Sequence, residues 1–251
     1  MRLLAHRGMP GPASVDGPVE NTLPALRACL AAGADGAEVD VRLSSDGVLV
    51  VSHDPTLLRI TGSPMTVADS RWEVLRDSCA YRGVALARAE ELLVALDGRR
   101  AVLEVKRPPQ GRVAETAQVL VATLAALRRT GVALDVTVSS FARDAVEAVR
   151  DAAPAALGLR TALLGDVGDP PAALVRAALD SGFDEVHPQV GELLRDPATV
   201  ATAHAVGVAV VPWTVNRGRA LRRLAALGTD AVITDVPAGA RLALHRVPAG
   251  T

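Results

Sequence analysis

Short apolar segments alternate with longer Ala- and Leu-rich stretches along the whole chain, and no other feature restricts the fold as strongly. The apolar segments are Leu3–Ala5, Gly36–Val41, Val102–Val105, Val136–Ser139, Ala156–Leu159, Glu185–His187, Val208–Val211 and Ala231–Thr234. Stretches between them, such as Thr22–Ala32, Arg112–Arg129, Ala172–Ser181 and Arg217–Leu227, have helical composition. Several stop at a glycine suited to a left-handed cap, namely Gly33, Gly131, Gly182, Gly207 and Gly228. Strands separated by helices pair in parallel, and eight such units favour a closed α/β barrel of the (β/α)8, or TIM, type over an open sheet. Such a barrel needs about 250 residues. The 251 residues of this chain are therefore expected to form a single domain.

One stretch breaks the rhythm. Val48-Leu49-Val50-Val51-Ser52 reads as a ninth strand, separated from the second by little more than Ser44-Ser45-Asp46-Gly47. A parallel crossover needs about a dozen residues, and Asp46-Gly47 is a turn signal, so a hairpin is expected here. Residues 55–100 then exceed an ordinary connection. They are expected to form a small insertion over the barrel mouth, after the second barrel strand.

Composition narrows the function classes. The apolar share of 49% supplies ample core, while a formal net charge of −1 with dispersed arginines leaves no basic footprint for nucleic acid. No apolar run approaches the roughly 18 residues needed to span a bilayer. Met1–Gly8 reads as the first strand rather than a leader. Two cysteines, Cys29 and Cys79, make no disulfide framework, so a reducing cytoplasm is the expected location.

In a (β/α)8 barrel the reacting groups sit at the C-terminal ends of the strands. Those positions hold His6-Arg7-Gly8, His53-Asp54, Ser139-Ser140-Phe141, His187, Trp213-Thr214 with Asn216, and Thr234-Asp235. The second strand carries Glu38 and Asp40, and the next barrel strand Glu104 and Lys106. Spacing of two puts each pair on one face of its strand. Acids facing a barrel interior are costly unless paired or bound to metal. Two readings stand on this evidence: Glu38, Asp40 and Glu104 hold a hard cation through oxygen, Mg²⁺ or Ca²⁺, or they pair with Lys106 and Arg42 in a structural network.

His6 and His53 weigh toward the first, because phosphodiester cleavage needs a base and an acid that titrate near neutrality. Arg7 offers a planar fork for phosphate oxygens. Lys106 suits either a second phosphate contact or a partner for Glu104. Phe141 and Trp213 suit an apolar wall for the substrate, or simple core filling. Asn21-Thr22 and Asn216 read as helix caps, and His204 and His245 as ordinary surface or core histidines. His187 stands at a strand end with nothing further to mark it.

Taken in order, these residues resemble the glycerophosphodiester phosphodiesterase family. The matching pieces are His6-Arg7-Gly8, Glu20-Asn21-Thr22, Glu38-Val39-Asp40-Val41, Asp46-Gly47 with Val50 to Pro55, and Leu103-Glu104-Val105-Lys106. Ser139-Ser140-Phe141, Trp213 to Asn216 and Ile233-Thr234-Asp235 complete the set, which spans nearly the whole chain. The resemblance implies a divalent cation on Glu38, Asp40 and Glu104, His6 and His53 as acid and base, and Arg7 on the phosphate. It also implies a small-molecule glycerophosphodiester as substrate, cleaved to glycerol 3-phosphate and an alcohol, and a place in glycerol and lipid metabolism. The chain departs from the family's Pro-Thr-Leu-Glu-Glu-like run, with Ala85 to Leu92 in its place, which bears on substrate identity. A related barrel phospholipase or lyase that stops at a cyclic phosphate, acting on lysophospholipids among others, shares the two-histidine plan. A non-catalytic barrel that binds a phosphorylated ligand is the reading outside enzymes.

Overall fold

The computed structural model describes residues 1–9 and 17–245. In chain order its strands are β1 (Arg2–Ala5), β2 (Gly36–Leu43), β3 (Leu49–Val51), β4 (Arg100–Val105), β5 (Asp135–Ser140), β6 (Arg160–Leu164), β7 (Glu185–His187), β8 (Ala209–Val210) and β9 (Ala231–Thr234). The helices are α1 (Leu23–Ala31), α2 (Leu58–Thr61), α3 (Trp72–Tyr81), α4 (Ala89–Leu96), α5 (Val113–Arg129), α6 (Arg143–Ala152), α7 (Pro171–Ser181), α8 (Val190–Arg195), α9 (Ala198–Ala205), α10 (Gly218–Leu227) and α11 (Pro237–His245). Eight strands run parallel in the order β8-β7-β6-β5-β4-β2-β1-β9. Between the two end strands, Asp230 N–H donates to the Val210 carbonyl (3.1 Å) and Ile233 N–H to the Pro212 carbonyl (3.0 Å), so the ring is nearly closed. The expected (β/α)8 barrel is the observed fold.

The expected hairpin is also present. β3 pairs antiparallel with β2, Val41 opposite Val51. Ser44 Oγ stabilises the turn, donating to Asp46 Oδ1 (2.7 Å) and accepting from Val48 N–H (2.9 Å), while Gly47 takes the positive φ of 79° that the turn demands. Beyond β3, α2 and α3 enclose an apolar cluster of their own around Val50, Leu57, Val67, Leu75 and Cys79. α4 packs instead among the outer helices, between α1 and α5.

The fifth strand departs from expectation. Ala156–Leu159 is not extended: residues 155–157 form a 3-10 turn that ends at Gly158, in the left-handed region at φ 58°. The strand is Arg160–Leu164, fixed by pairing with both neighbours, Thr137 opposite Arg160 and Ala162 opposite Glu185. That register carries the Arg160 side chain to Glu185 (Nε to Oε1, 3.0 Å). A polar residue thus opens the strand, where the apolar run alone pointed four residues earlier.

Most of the apolar burial lies between strands and helices, as with Leu26, Val39, Leu103, Leu120 and Leu124 on one side and Val186, Val210, Leu221 and Val232 on the other. Inside the ring a smaller plug, Leu4, Val102, Val211, Ala231 and Ile233, fills the barrel. Part of the interior is ionic. Arg100 and Arg160 both donate to Glu185, and His187 Nε2 lies 3.1 Å from Glu185 Oε2. Burial alone would raise the Glu185 carboxyl, but the bond and charge of His187 and the two arginines hold it at about 2. His187 is therefore a fully buried partner of Glu185 rather than a group of the mouth.

Candidate active site

Register assembles the acids. Asp40 stands opposite Glu104 across β2 and β4, and Glu104 opposite Ser139 across β4 and β5. Ligand atoms of Glu38, Asp40 and Glu104 all lie within 4.8 Å of one another. Lys106 Nζ donates to Asp40 Oδ1 (2.8 Å) and Glu104 Oε1 (2.5 Å), so the ammonium serves two of the three buried carboxyls. Burial, reinforced by the Asp40 charge, pushes Glu38 up to about 8. Burial and Asp40 also raise Glu104. Asp40 falls below the usual range despite burial, because Lys106 and the Asn21 amide favour its charged form.

The turn after β1 sets His6 and Arg7. Arg7 has φ 54°, followed by Gly8 at 66°, and this tight left-handed turn aims the Arg7 N–H at Glu38 Oε2 (3.0 Å). The Arg7 guanidinium lies between Glu20 (3.1 Å) and Asp40 (3.7 Å). His6 Nδ1 lies 2.7 Å from Asp235 Oδ1, beyond the end of β9. Asn216 donates to the other Asp235 oxygen (2.6 Å) and accepts from the Asp235 N–H (2.9 Å). Burial disfavours the His6 cation, yet the Asp235 bond and the Glu38 charge outweigh it and raise His6 above its ordinary value.

His53 is held by the end of the hairpin. Arg42 donates twice to its carbonyl (3.1 and 2.8 Å), so Arg42 fixes His53 rather than pairing with the acids. His53 Nδ1 lies 2.7 Å from Asp54 Oδ1. Arg59, on α2, donates to Asp54 Oδ2 (2.6 Å) and to Glu20 Oε1 (2.6 Å). A continuous polar chain thus runs from His53 through Asp54, Arg59 and Glu20 to Arg7. Burial, helped by the Lys106 and Arg7 charges, outweighs Asp54 and lowers His53. The two histidines are displaced in opposite directions.

One cavity of about 120 Å³ is lined by His6, Arg7, Glu38, His53, Glu104 and Lys106 on one side. Phe141, Leu164, Trp213 and Ile233 line the other, with Ser139 between the two halves. Asp40, 1% exposed, lies beneath it in the carboxyl cluster. All nine residues singled out in the sequence are therefore brought together. Phe141 and Trp213 meet edge to face at 5.6 Å; Phe141 is 42% exposed, and Trp213 rests on the apolar plug of the barrel. Two residues read as helix caps do something else. Thr22 caps α1, accepting from Ala25 N–H, but Asn21 clamps Asp40, donating to Oδ2 (2.8 Å) and accepting from the Asp40 N–H (3.1 Å). Asn216 makes no cap on α10 and holds Asp235 instead. Asp54 and Asp235 stand among the strand-end positions of the sequence but carry no role there, and in the fold each orients a histidine; Arg59 has no signal in the sequence.

The chain matches the Glycerophosphoryl diester phosphodiesterase family over residues 6–238. It is 35% identical over 238 residues to the Probable glycerophosphodiester phosphodiesterase 1 of Mycobacterium tuberculosis, covering 85% of this chain and 81% of that one. Identity to the Glycerophosphodiester phosphodiesterase of Caldanaerobacter subterraneus is 28% over 245 residues, 94% of each chain. The crystal structure of the glycerophosphodiester phosphodiesterase of Thermotoga maritima superposes with a TM-score of 0.73 at 25% identity, over 95% of this chain and 96% of that one. The chain belongs to the glycerophosphoryl diester phosphodiesterase family, and its class of activity is phosphodiester hydrolysis.

Proposed function

We propose that this member of the family hydrolyses glycerophosphodiesters to glycerol 3-phosphate and an alcohol, with a divalent cation on Glu38, Asp40 and Glu104 and with His6 and His53 as acid and base. The convergence of three carboxyls and two oppositely displaced histidines on one cavity carries this reading. The residues fit a hard cation: the donor set is all oxygen, Glu38 Oε1 is buried without a partner, and the three carboxyls outnumber the two cationic side chains beside them, Lys106 and Arg7. Mg²⁺ or Ca²⁺ there would neutralise phosphoryl charge in the transition state.

The chain's own residues supply the remainder. Arg7 Nε is buried without a hydrogen-bond partner, a donor suited to a phosphoryl oxygen, and Lys106 adds a second positive charge. His53, lowered and so neutral near pH 7, takes the proton of the attacking hydroxyl, from water or from the substrate's own glycerol. In the second case the product is a cyclic phosphate, which a water then opens to glycerol 3-phosphate. His6, whose protonated form Asp235 and Glu38 favour, gives its proton to the departing alcohol oxygen as the P–O bond breaks. Asp235 and Asp54 hold each ring through Nδ1, which leaves Nε2 for these transfers. The aromatic wall of Phe141 and Trp213 takes the carbon skeleton. We further read the chain as one barrel domain. Of residues 55–100, expected over the mouth, α4 belongs to the outer helices and Arg100 to β4, which leaves the part before α4 as the insertion. Two buried free thiols accord with a cytoplasmic place in glycerol and lipid metabolism. Among the described residues no helix is long and apolar enough to cross a membrane.

The test is release of glycerol 3-phosphate from glycerophosphocholine with Mg²⁺, Ca²⁺ or EDTA, for the wild type and His53→Ala. Cation-dependent release that the variant lacks supports the whole reading. Release unaffected by EDTA removes the cation, and accumulation of a cyclic phosphate reassigns the chain as a lyase.

A further inference from the structure

Ser139 and Ser140 are neighbours on β5 with opposite fates. Ser140 Oγ is fully used, donating to the Val105 carbonyl (2.6 Å) and accepting from Ala142 N–H (3.0 Å). Ser139 is 1% exposed, and its Oγ has no hydrogen-bond partner. A buried hydroxyl without a partner is costly, and in a native site it asks for a ligand atom.

Its position names that atom's chemistry. Ser139 stands opposite Glu104 in the β-ladder and lines the cavity at the seam between the charged half and the apolar half. Every other hydrogen-bonding side chain that lines the cavity is ionisable, except Trp213, whose Nε1 is committed to the His187 carbonyl (3.0 Å). Charged groups suit phosphate and cation. A neutral alcohol, both donor and acceptor, is matched by another hydroxyl. In a glycerol 3-phosphodiester the C2 hydroxyl lies close to phosphorus and so falls among the charged groups. The terminal C1 hydroxyl lies farther out, on a carbon chain the aromatic wall would cover.

We propose that Ser139 recognises the terminal hydroxyl of the glycerol moiety and so sets the preference for glycerol over other alcohols on the retained side of the diester. The inference rests on the phosphodiesterase reading above and adds a specificity determinant to it. Recognition of this kind discriminates because a substrate lacking the hydroxyl leaves Ser139 unpaired.

The experiment compares wild type and Ser139→Ala on glycerophosphocholine and on its 1-deoxy analogue, the phosphocholine diester of propane-1,2-diol, which keeps the C2 hydroxyl. The wild type should prefer the glycerol substrate about tenfold in kcat/KM, and the variant should lose about tenfold on that substrate alone. The melting temperature of the unliganded variant should not fall, since the change removes an unsatisfied buried hydroxyl. Equal losses on both substrates, or a lowered melting temperature, would overturn the proposal in favour of a packing role; no loss on either would overturn it outright. A second arm measures thermal stabilisation by glycerol 3-phosphate and by its 1-deoxy analogue. A wild type that cleaves no diester yet binds the first more tightly, through Ser139, would sink the phosphodiesterase reading and leave this one standing. Equal stabilisation by both ligands would sink this one.

Discussion

Asp235 Oδ1 lies 2.7 Å from His6 Nδ1, although 229 residues separate them along the chain. The pair exists because β1 and β9 are neighbours in the ring, with Ala5 opposite Thr234, so the two residues that follow these strands emerge side by side. Asn216 locks the other Asp235 oxygen. The acid of the proposed mechanism is thus set by the pairing of the first strand of the chain with the last.

Asp235→Asn should move the pH profile in one direction. The Asp235 bond favours protonated His6, and the proposed mechanism requires that proton, so the basic limb of kcat/KM is expected to fall at the raised His6 value. Without the carboxylate that limb should shift to lower pH while the acidic limb, set by His53, stays in place. A pH–rate profile over the range 5 to 9 measures both limbs, and an unmoved basic limb would assign the acid elsewhere.

Arg59 links Asp54 to Glu20 but is 47% exposed, so its ion pairs contribute little to stability, about 1 kcal/mol or less. Its role is to fix the carboxylate that orients His53. Arg59→Gln should therefore leave the melting temperature nearly unchanged and lower kcat by about tenfold. That is less than the hundredfold or greater loss expected for removing the base itself in His53→Ala. A variant that melts well below wild type with proportionate loss of activity would indicate a structural role only.

Cation binding should be visible without turnover. At a concentration roughly a hundredfold above Kd, Mg²⁺ or Ca²⁺ should stabilise the fold by about 2.7 kcal/mol, or about 5 °C for a domain of this size. Glu38→Gln should abolish that rise without destabilising the cation-free protein, because burial already disfavours the Glu38 charge. Differential scanning fluorimetry with and without EDTA decides the matter; a full rise in the variant would exclude Glu38 as a ligand.

The ionic part of the barrel interior makes a separate prediction. The folded state holds Glu185 at about 2, below its ordinary carboxylate value of 4.5. Its contribution is therefore present above pH 4.5 and is lost as pH falls toward 2. At neutral pH Glu185→Gln should cost about 3–5 kcal/mol by leaving the buried Arg100 uncompensated, while Arg160 keeps its ion pair with Asp135. The gap between variant and wild type should narrow as pH drops through that window, which urea unfolding at several pH values can follow.

Much of this was legible in the sequence because it depends on local period. Eight apolar segments announced the barrel, and spacing of two put Glu38 with Asp40 and Glu104 with Lys106 on single strand faces. Strand-end placement was enough to select His6, His53, Phe141 and Trp213. These signals survive in one dimension because a strand's side-chain alternation is a property of the backbone itself. What the chain could not announce was pairing between distant segments. The start of β6 was set by its ladders with β5 and β7, not by the apolar run before Gly158. Asn21 reads as a cap until β2 is beside it to offer Asp40, and Asp235 and Asn216 acquire meaning only at the closing seam. Hydrogen bonds of that kind need atoms within about 3 Å, and only the closed ring brings those loops so near.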